Sequence, residues 1–536
     1  MDIMKFKIQK IVKSNYFALG LVFLISIVVN QYYGFIGVNP IDNFTIYHSG
    51  NLILEGKKPF QDFWVTTGLL LDTLQFLFFK FFGVSWSIYV FHASLINATY
   101  CLFVYLILYS FKLKKRYCFF YSILSAIIFY PTVGTPFVDH HAVFFSMLAL
   151  FCFILSVKTN KSIYWFFIPI FLILGFFSKQ TPTSYIAILI AVLGLYNYLI
   201  NKNHKVIFIG VFSIFISSTI IIYLFYLNEI SITNFYQQYI QFASSVGQER
   251  IASGEFINPI SFSRYIVKFK YIHLSYIPLL LIFFKNILNI KFFYKHEDFL
   301  IALTLIFSAY CFIIHQLLTL NSKYIHFLIP LLGAFSHIYI EKYQFKNKIY
   351  FTYLLMTIVL VSSLYYFHKY VHQRGFLLIG EHLDKKKIYK TDILDKKGKS
   401  FNWITPSVYG YDPDQEIKDL ISSVRKIKSF EKNSSEKYLL ITDYQFIIYK
   451  FDLNNAISIN KLYGTGISYP SIKNKNFENY KFFFNNRMEE NNIKKIYFIT
   501  PSWFNEHNHA LNGILNDSCM KKIKESTLIF YKVQKC

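Results

Sequence analysis

Asp42 lies in "NPIDNFTIYHSG", the first polar stretch after an apolar run that ends near Tyr33. Glu55, Lys57, Lys58 and Asp62 follow in "LEGKKPFQDFWVTTG". Farther on, Asp139, His140 and His141 stand in a row just before an apolar run, and Lys179-Gln180 interrupts another. Carboxylates, imidazoles and ammonium groups are the types that move protons and stabilise developing negative charge. At a membrane boundary such groups are costly unless hydrated or paired, so those beside apolar runs are candidates for a functional cavity.

Each also has a plain structural role open to it. Asp42 could cap a helix that starts at Asn43, and Asp139 could cap the span that follows it. Lys57, Lys58, His140 and His141 could sit among lipid headgroups, and Lys179 could anchor a span end. Capping and catalysis are compatible, so neither role excludes the other.

The elements that must position these residues are mostly apolar. The chain has 536 residues, of which 54% are hydrophobic, 20% aromatic and only 16% charged, which sets it apart from ordinary soluble proteins. Apolar runs long enough to cross about 30 Å of hydrocarbon recur up to about residue 370. The net charge of +25 is carried largely by short loops between these runs, such as "KLKKR" and "NKNHK". Basic loops of that kind set topology, and nucleic-acid binding is excluded as the explanation of the charge. Alternating the loops predicts a polytopic α-helical membrane protein of about eleven transmembrane helices. The N-terminus is expected inside, with the first span retained because no small-residue cleavage site follows it.

On this count residues 1–369 form the membrane domain. Its outer loops are 34–85, 135–141, 179–182 and 229–271. The segment 69–83, which contains Asp72 and Lys80, is expected to lie in the interface rather than to span. Residues 370–536 read as an extracytoplasmic α/β domain. "PDQEIKDLISSVRKIKSF" puts Ile417, Leu420, Ile421, Val424 and Ile427 on one helical face. "KYLLITDYQFIIYKFD", "IKKIYFITPSWF" and "STLIFYKVQK" are β-branched and aromatic runs of strand type. Cys101, Cys118, Cys152 and Cys311 fall in or beside apolar runs and read as packing residues, whereas Cys519 and Cys536 could pair in an oxidising compartment.

There is no internal repeat, no Gly-rich phosphate loop, no pair of CxxC motifs and no GxSxG elbow. Asp412-Pro413-Asp414 has the spacing of a metal motif, but an Asp/Pro turn opening a helix accounts for it as well.

The first loop resembles that of bacterial membrane glycosyltransferases of the C-type superfold (GT-C), which include the protein O-mannosyltransferases and the lipid A aminoarabinose transferase. In that family an early acidic residue precedes a G-x-x-P-[YF]-x-D-[FY] element and then G-[PL]-L. Here the matches are Asp42, then Gly56, Pro59, Phe60, Asp62 and Phe63, then Gly68 and Leu69. Leu69 replaces the usual proline. Asp139 before a span, Lys179 after the fifth span and "KYIHFLIPLLGAF" at 323–335 are similar to further family elements. "VDHH" also resembles an element of the oligosaccharyltransferase catalytic subunit, whose Trp-Trp-Asp-Tyr-Gly signature is absent.

The resemblance implies a sugar donor on a polyprenyl phosphate and a glycan, lipid or protein acceptor, with membrane lipids around both. It implies Asp42 as base and Asp139 as a second catalytic carboxylate. Asp62, Lys57, Lys58, His140, His141, Lys179, Arg250 and Lys323 would bind substrate, the cations stabilising the leaving phosphate. The resemblance names no certain cofactor and leaves room for a divalent cation. On the same reading Phe63 and Trp64 would sit at headgroup level. An O-antigen ligase or polymerase and a non-enzymatic lipid or polysaccharide transporter are the alternatives. A transporter would carry ionisable residues in the middle of its spans or repeated broken helices; few are present, and the clearest, His315, lies near a span end.

Overall fold

A computed structural model describes residues 15–252, 262–288, 297–319, 321–343, 347–377, 388–395, 399–405, 412–463, 467–499, 513–514, 520–525 and 528–533. Arg250 and Lys323 are within these; Cys519, Cys536 and part of the 229–271 loop lie outside them. The chain forms two compact units. The first comprises residues 1–34, 90–222 and 253–373, and the second 35–89, 223–252 and 374–536.

Among the described residues seven helices are long and apolar enough to cross a membrane: Asn15–Tyr33, Trp86–Ser110, Val138–Thr159, Gln180–Asn201, His204–Leu227, Glu297–Leu318 and Lys348–His372. The chain is therefore consistent with a polytopic helical membrane protein. The other four expected spans correspond to Lys115–Ile128 (14 residues), Ile163–Ser178 (16), Lys270–Leu288 (19, with Pro278 inside) and Leu328–Lys342 (15). Three of these are short of the roughly 20 residues that a perpendicular crossing needs.

In the first unit, burial separates the spans into two kinds. Val138–Thr159 and Glu297–Leu318 are 78% and 72% buried, whereas His204–Leu227 is only 17% buried. A helix apolar all round and open on most of its surface is suited to lipid, and the two buried ones form the interior. Polar side chains join neighbouring helices. Asn97 Nδ2 donates to the carbonyls of Ser26 (3.1 Å) and Ala126 (3.0 Å), linking three helices through one amide. Asn30 Nδ2 donates to Ser94 Oγ at 2.9 Å and to the Gly134 carbonyl at 3.2 Å. Gly134 has φ +85°, and a Cβ there would lie 2.8 Å from Gly34 Cα, so two backbones meet where a side chain has no room.

The second unit holds the first loop together with the tail. Its five-stranded sheet has the order β4-β3-β5-β7-β6, with β3 Tyr438–Thr442, β4 Ala456–Ile457, β5 Lys495–Ile499, β6 Met520–Glu525 and β7 Leu528–Val533. β4, β3 and β5 run parallel, and β7 pairs antiparallel with β5 and β6. A separate hairpin pairs β1 Tyr389–Thr391 with β2 Phe401–Trp403. The Pro413–Phe430 helix buries Ile417, Leu420, Val424 and Ile427, with Ile421 half-buried at the edge of that face. Asp412 and Pro413 open this helix, and Asp414 pairs with Lys418 one turn on.

Two expectations need correction here. "KYLLITDYQFIIYKFD" is strand only over its first part; after Asp443 it turns into the Phe446–Lys450 helix. Phe63 and Trp64 are not exposed at a headgroup level. They are 0% and 3% exposed, and Trp64 packs edge-on against Tyr480 and Phe242 within the core of the second unit. The Trp64 backbone N–H also donates to the Ile459 carbonyl at 2.8 Å, tying the first loop to the tail.

Candidate functional site

The Val138–Thr159 helix begins after the Gly134 turn, and Tyr130 braces its entry. Tyr130 Oη accepts from the Phe137 N–H at 3.1 Å. Asp139 is thereby set in the first helical turn and not at the cap, which is Phe137. Lys179 is the extended residue between the Ile163–Ser178 and Gln180–Asn201 helices. Its ammonium donates to both Asp139 carboxylate oxygens, at 2.9 and 2.8 Å. His315, in the last turn of Glu297–Leu318, donates from Nε2 to Asp139 Oδ1 at 2.7 Å. The side chains of Asp139 and His315 are 2% and 0% exposed, and that of Lys179 is 18% exposed.

This is a buried carboxylate with two donors, one of which opens outward. Ion pairs of this kind survive burial only when the remaining lone pairs are satisfied, and here three hydrogen bonds satisfy them. Its members come from the two most buried span helices and from a break between two others. The sequence pointed to Asp139 and Lys179; His315 was noticed only as an ionisable residue near a span end.

His140 and His141, expected at the substrate, are buried at 1% and 0%. His140 Nε2 donates to the Phe129 carbonyl at 3.0 Å. His141 bonds Tyr130 Oη at 2.5 Å through Nδ1 and meets His92 Nε2 at 3.1 Å through Nε2. Both rings belong to the same turn as Asp139; the two nitrogens of His141 have partners, whereas His140 Nδ1 is buried with none among the described residues. Lys323 is half-buried in the segment before Leu328–Lys342.

The remaining residues belong to the second unit. Asp42 lies in the first turn of the Pro40–Leu54 helix, and Asn39 Nδ2 donates to its Oδ2 at 3.3 Å. That helix packs on the tail: Phe44 lies 4.7 Å from Phe446 and 6.4 Å from Trp403, ring to ring. Asp443, just after β3, is 7% exposed, and burial together with the neighbouring Asp42 charge pushes its carboxyl up to about 7.

Asp62 makes two contacts within the unit. Its Oδ2 accepts from the Lys58 N–H at 2.7 Å, closing a turn in which Phe60 has φ +68°, and its Oδ1 pairs with Arg487 at 3.3 Å. Lys58 pairs with Glu229. Lys57 is half-buried, and Arg250 lies in the last turn of Ala243–Ala252. The polar strip of the first loop thus holds turns and ion pairs inside the second unit.

A further pair escaped the sequence reading. Lys461 Nζ reaches Asp72 Oδ1 at 2.5 Å and the Thr67 carbonyl at 2.9 Å, while Ser49 Oγ donates to the same Asp72 oxygen. Both side chains are at most 5% exposed. Burial pushes the Asp72 carboxyl up and the Lys461 ammonium down, each opposed by its partner. The visible signal was one acid in an otherwise apolar turn, "LLLDTL"; its partner is 389 positions away.

Among the described residues no group of three or more His, Cys, Asp or Glu side chains is arranged to hold a metal. No protein-family model matches the chain, and no curated protein matches its sequence.

Proposed function

We propose that the chain is an integral-membrane glycosyltransferase acting at the extracytoplasmic face of the cell (inner or plasma) membrane. It moves a sugar from a polyprenyl-phosphate donor to a glycan, lipid or protein acceptor. The observation that supports this reading best is the Asp139–Lys179–His315 cluster of the span helices.

In such a transfer the bond from the anomeric carbon to the phosphate oxygen breaks, and the phosphate keeps the electron pair. The acceptor oxygen bonds the same carbon and gives its proton to a base. The step is aided by a cation near the phosphate and a carboxylate near the acceptor. An ammonium has three N–H donors, and Lys179 uses two on Asp139, so a third suits a phosphate oxygen. Asp139 accepts three hydrogen bonds from Lys179 and His315, which makes it a weak base. Its role on this reading is to hold Lys179 in place. The family resemblance gives the base role to Asp42.

The same cluster weighs against a transporter. Asp139 is in the first turn of its span and His315 in the last turn of its own, whereas transport sites lie near mid-span.

The test is sugar transfer in proteoliposomes from radiolabelled polyprenyl-phosphate donors. Wild type is expected to transfer label, and Lys179→Ala to lose at least tenfold in rate while still inserting. No transfer by wild type from hexosyl, pentosyl or aminosugar donors would refute the reading.

A further inference from the structure

At the C-terminal end of the Pro40–Leu54 helix the second unit has a cavity of about 500 Å³. Its lining includes Tyr47, Asn51, Glu55, Tyr449, Asp452 and Asn454. Asp42 lies at the other end of the same helix, 13 positions before Glu55, or about 20 Å at 1.5 Å per residue. The lining begins at Tyr47, five positions after Asp42, and Asp42 itself, to which the proposed reaction assigns its base, is not among the lining residues.

The cavity is built in advance of any ligand. Tyr47 and Asn51 are buried at 5% and 2%, and Asn51 Nδ2 is held by the Tyr47 carbonyl at 2.8 Å. Tyr449 is fixed by His48, whose Nδ1 meets its hydroxyl at 2.9 Å. Burial, and then the Lys461 charge, hold that imidazole down at about 3, so it stays neutral and the contact persists over the physiological range. Glu55, Asp452 and Asn454 are exposed and belong to the rim.

The chemistry of the lining narrows the ligand. The lining cation, Lys450, donates to the carbonyls of Asp392 (3.1 Å) and Asp395 (2.9 Å), which satisfies much of its donor capacity. The lining's other charges are the Glu55 and Asp452 carboxylates. An anionic ligand would meet two like charges. An acyl chain would desolvate these carboxylates and amides and offer them no hydrogen bond in return. Carboxylates and amide oxygens accept from hydroxyls, amide N–H groups donate to them, and tyrosine rings offer flat apolar faces. A small concave site of this size with a few convergent polar groups suits a compact polyhydroxylated molecule.

We propose that this cavity is a saccharide-binding site for neutral or amino sugars, distinct from the transfer chemistry. The carboxylates at its rim take the hydroxyl or ammonium hydrogens, and Tyr47 and Tyr449 form its walls.

The test is an oligosaccharide array probed with labelled full-length protein in detergent, carrying neutral, amino and uronic-acid di- to tetrasaccharides. Neutral or amino sugars should retain the protein and uronic acids should not. Glu55→Gln combined with Asp452→Asn should lower retention at least tenfold in protein that elutes as wild type does on size exclusion. Asparagine tolerates the left-handed backbone of Asp452, where φ is +51°, so the fold should survive. Absence of retention, retention unchanged by the double substitution, or preference for uronic acids would each overturn the proposal. Asp139→Asn should abolish transfer yet keep retention, which separates failure of this site from failure of the transferase reading; loss of retention in that variant would also overturn the site.

Discussion

The Lys179 ammonium contacts both carboxylate oxygens of Asp139, at 2.9 and 2.8 Å, across 40 positions of sequence. Removing Lys179 leaves the buried Asp139 charge with the His315 hydrogen bond but no ammonium, and breaking a buried pair in this way typically costs about 3–5 kcal/mol, whereas removing both partners is far milder. Lys179→Ala should therefore destabilise the protein more than Lys179→Ala with Asp139→Ala. Melting in detergent, followed by size-exclusion fluorescence, reads the difference. Additive losses would mean that the two residues do not act as a pair.

Asp72 and Lys461 give the same test in the other unit. Lys461→Met should cost about 3–5 kcal/mol because, among the described residues, Asp72 then keeps the Ser49 hydrogen bond alone. Adding Asp72→Asn should recover most of it, since an amide tolerates burial better than a carboxylate. Limited proteolysis of the tail would report this. Equal protease sensitivity in the single and double variants would contradict the pairing.

Asp443 should make stability depend on pH. Its native carboxyl holds a proton up to about 7, against an ordinary 3.8. The native state therefore binds the proton more tightly than the unfolded chain. The stability this contributes is full below about pH 4 and is lost as pH rises through 7, a change on the order of a few kcal/mol. Asp443→Asn should flatten that decline and leave the variant the more stable protein at pH 8. Parallel pH profiles for wild type and variant would show that the group does not titrate in this window.

Gly134→Ala should be severe. Its Cβ would lie 2.8 Å from Gly34 Cα, and φ is +85°. Left-handed strain of about 1–2 kcal/mol adds to overpacking of about 1–3 kcal/mol. The Asp139 turn would shift with it, so the yield of folded protein should fall. Gly210→Ala is the control, because nothing lies within 4 Å of its would-be Cβ. Equal folded yields of the two variants would refute the close approach.

Several features were legible in the sequence because they rest on local pattern. Apolar length marks the spans, and seven of the eleven expected ones are helices long enough to cross. The 3.6-residue period of Ile417, Leu420, Val424 and Ile427 marks a helix face that is indeed buried. Asp139 and Lys179 stood out because charge beside an apolar run is expensive.

Tertiary structure decided the rest, because contact between distant residues leaves no local trace. His315 looked like an isolated span-end residue until folding placed it 2.7 Å from Asp139, 176 positions earlier. Trp64 looked suited to headgroups because tryptophan is amphipathic, yet packing against Tyr480 and Phe242 buries it. Asp62 was legible as a charged loop residue, but only the folded chain brings Arg487 to it across 425 positions. Amino-acid type and spacing alone determined the long apolar helices and which charges are costly. Which partner offsets each cost was decided by the fold, since a charge in low dielectric is stabilised by whatever opposite group the packing brings within about 3 Å.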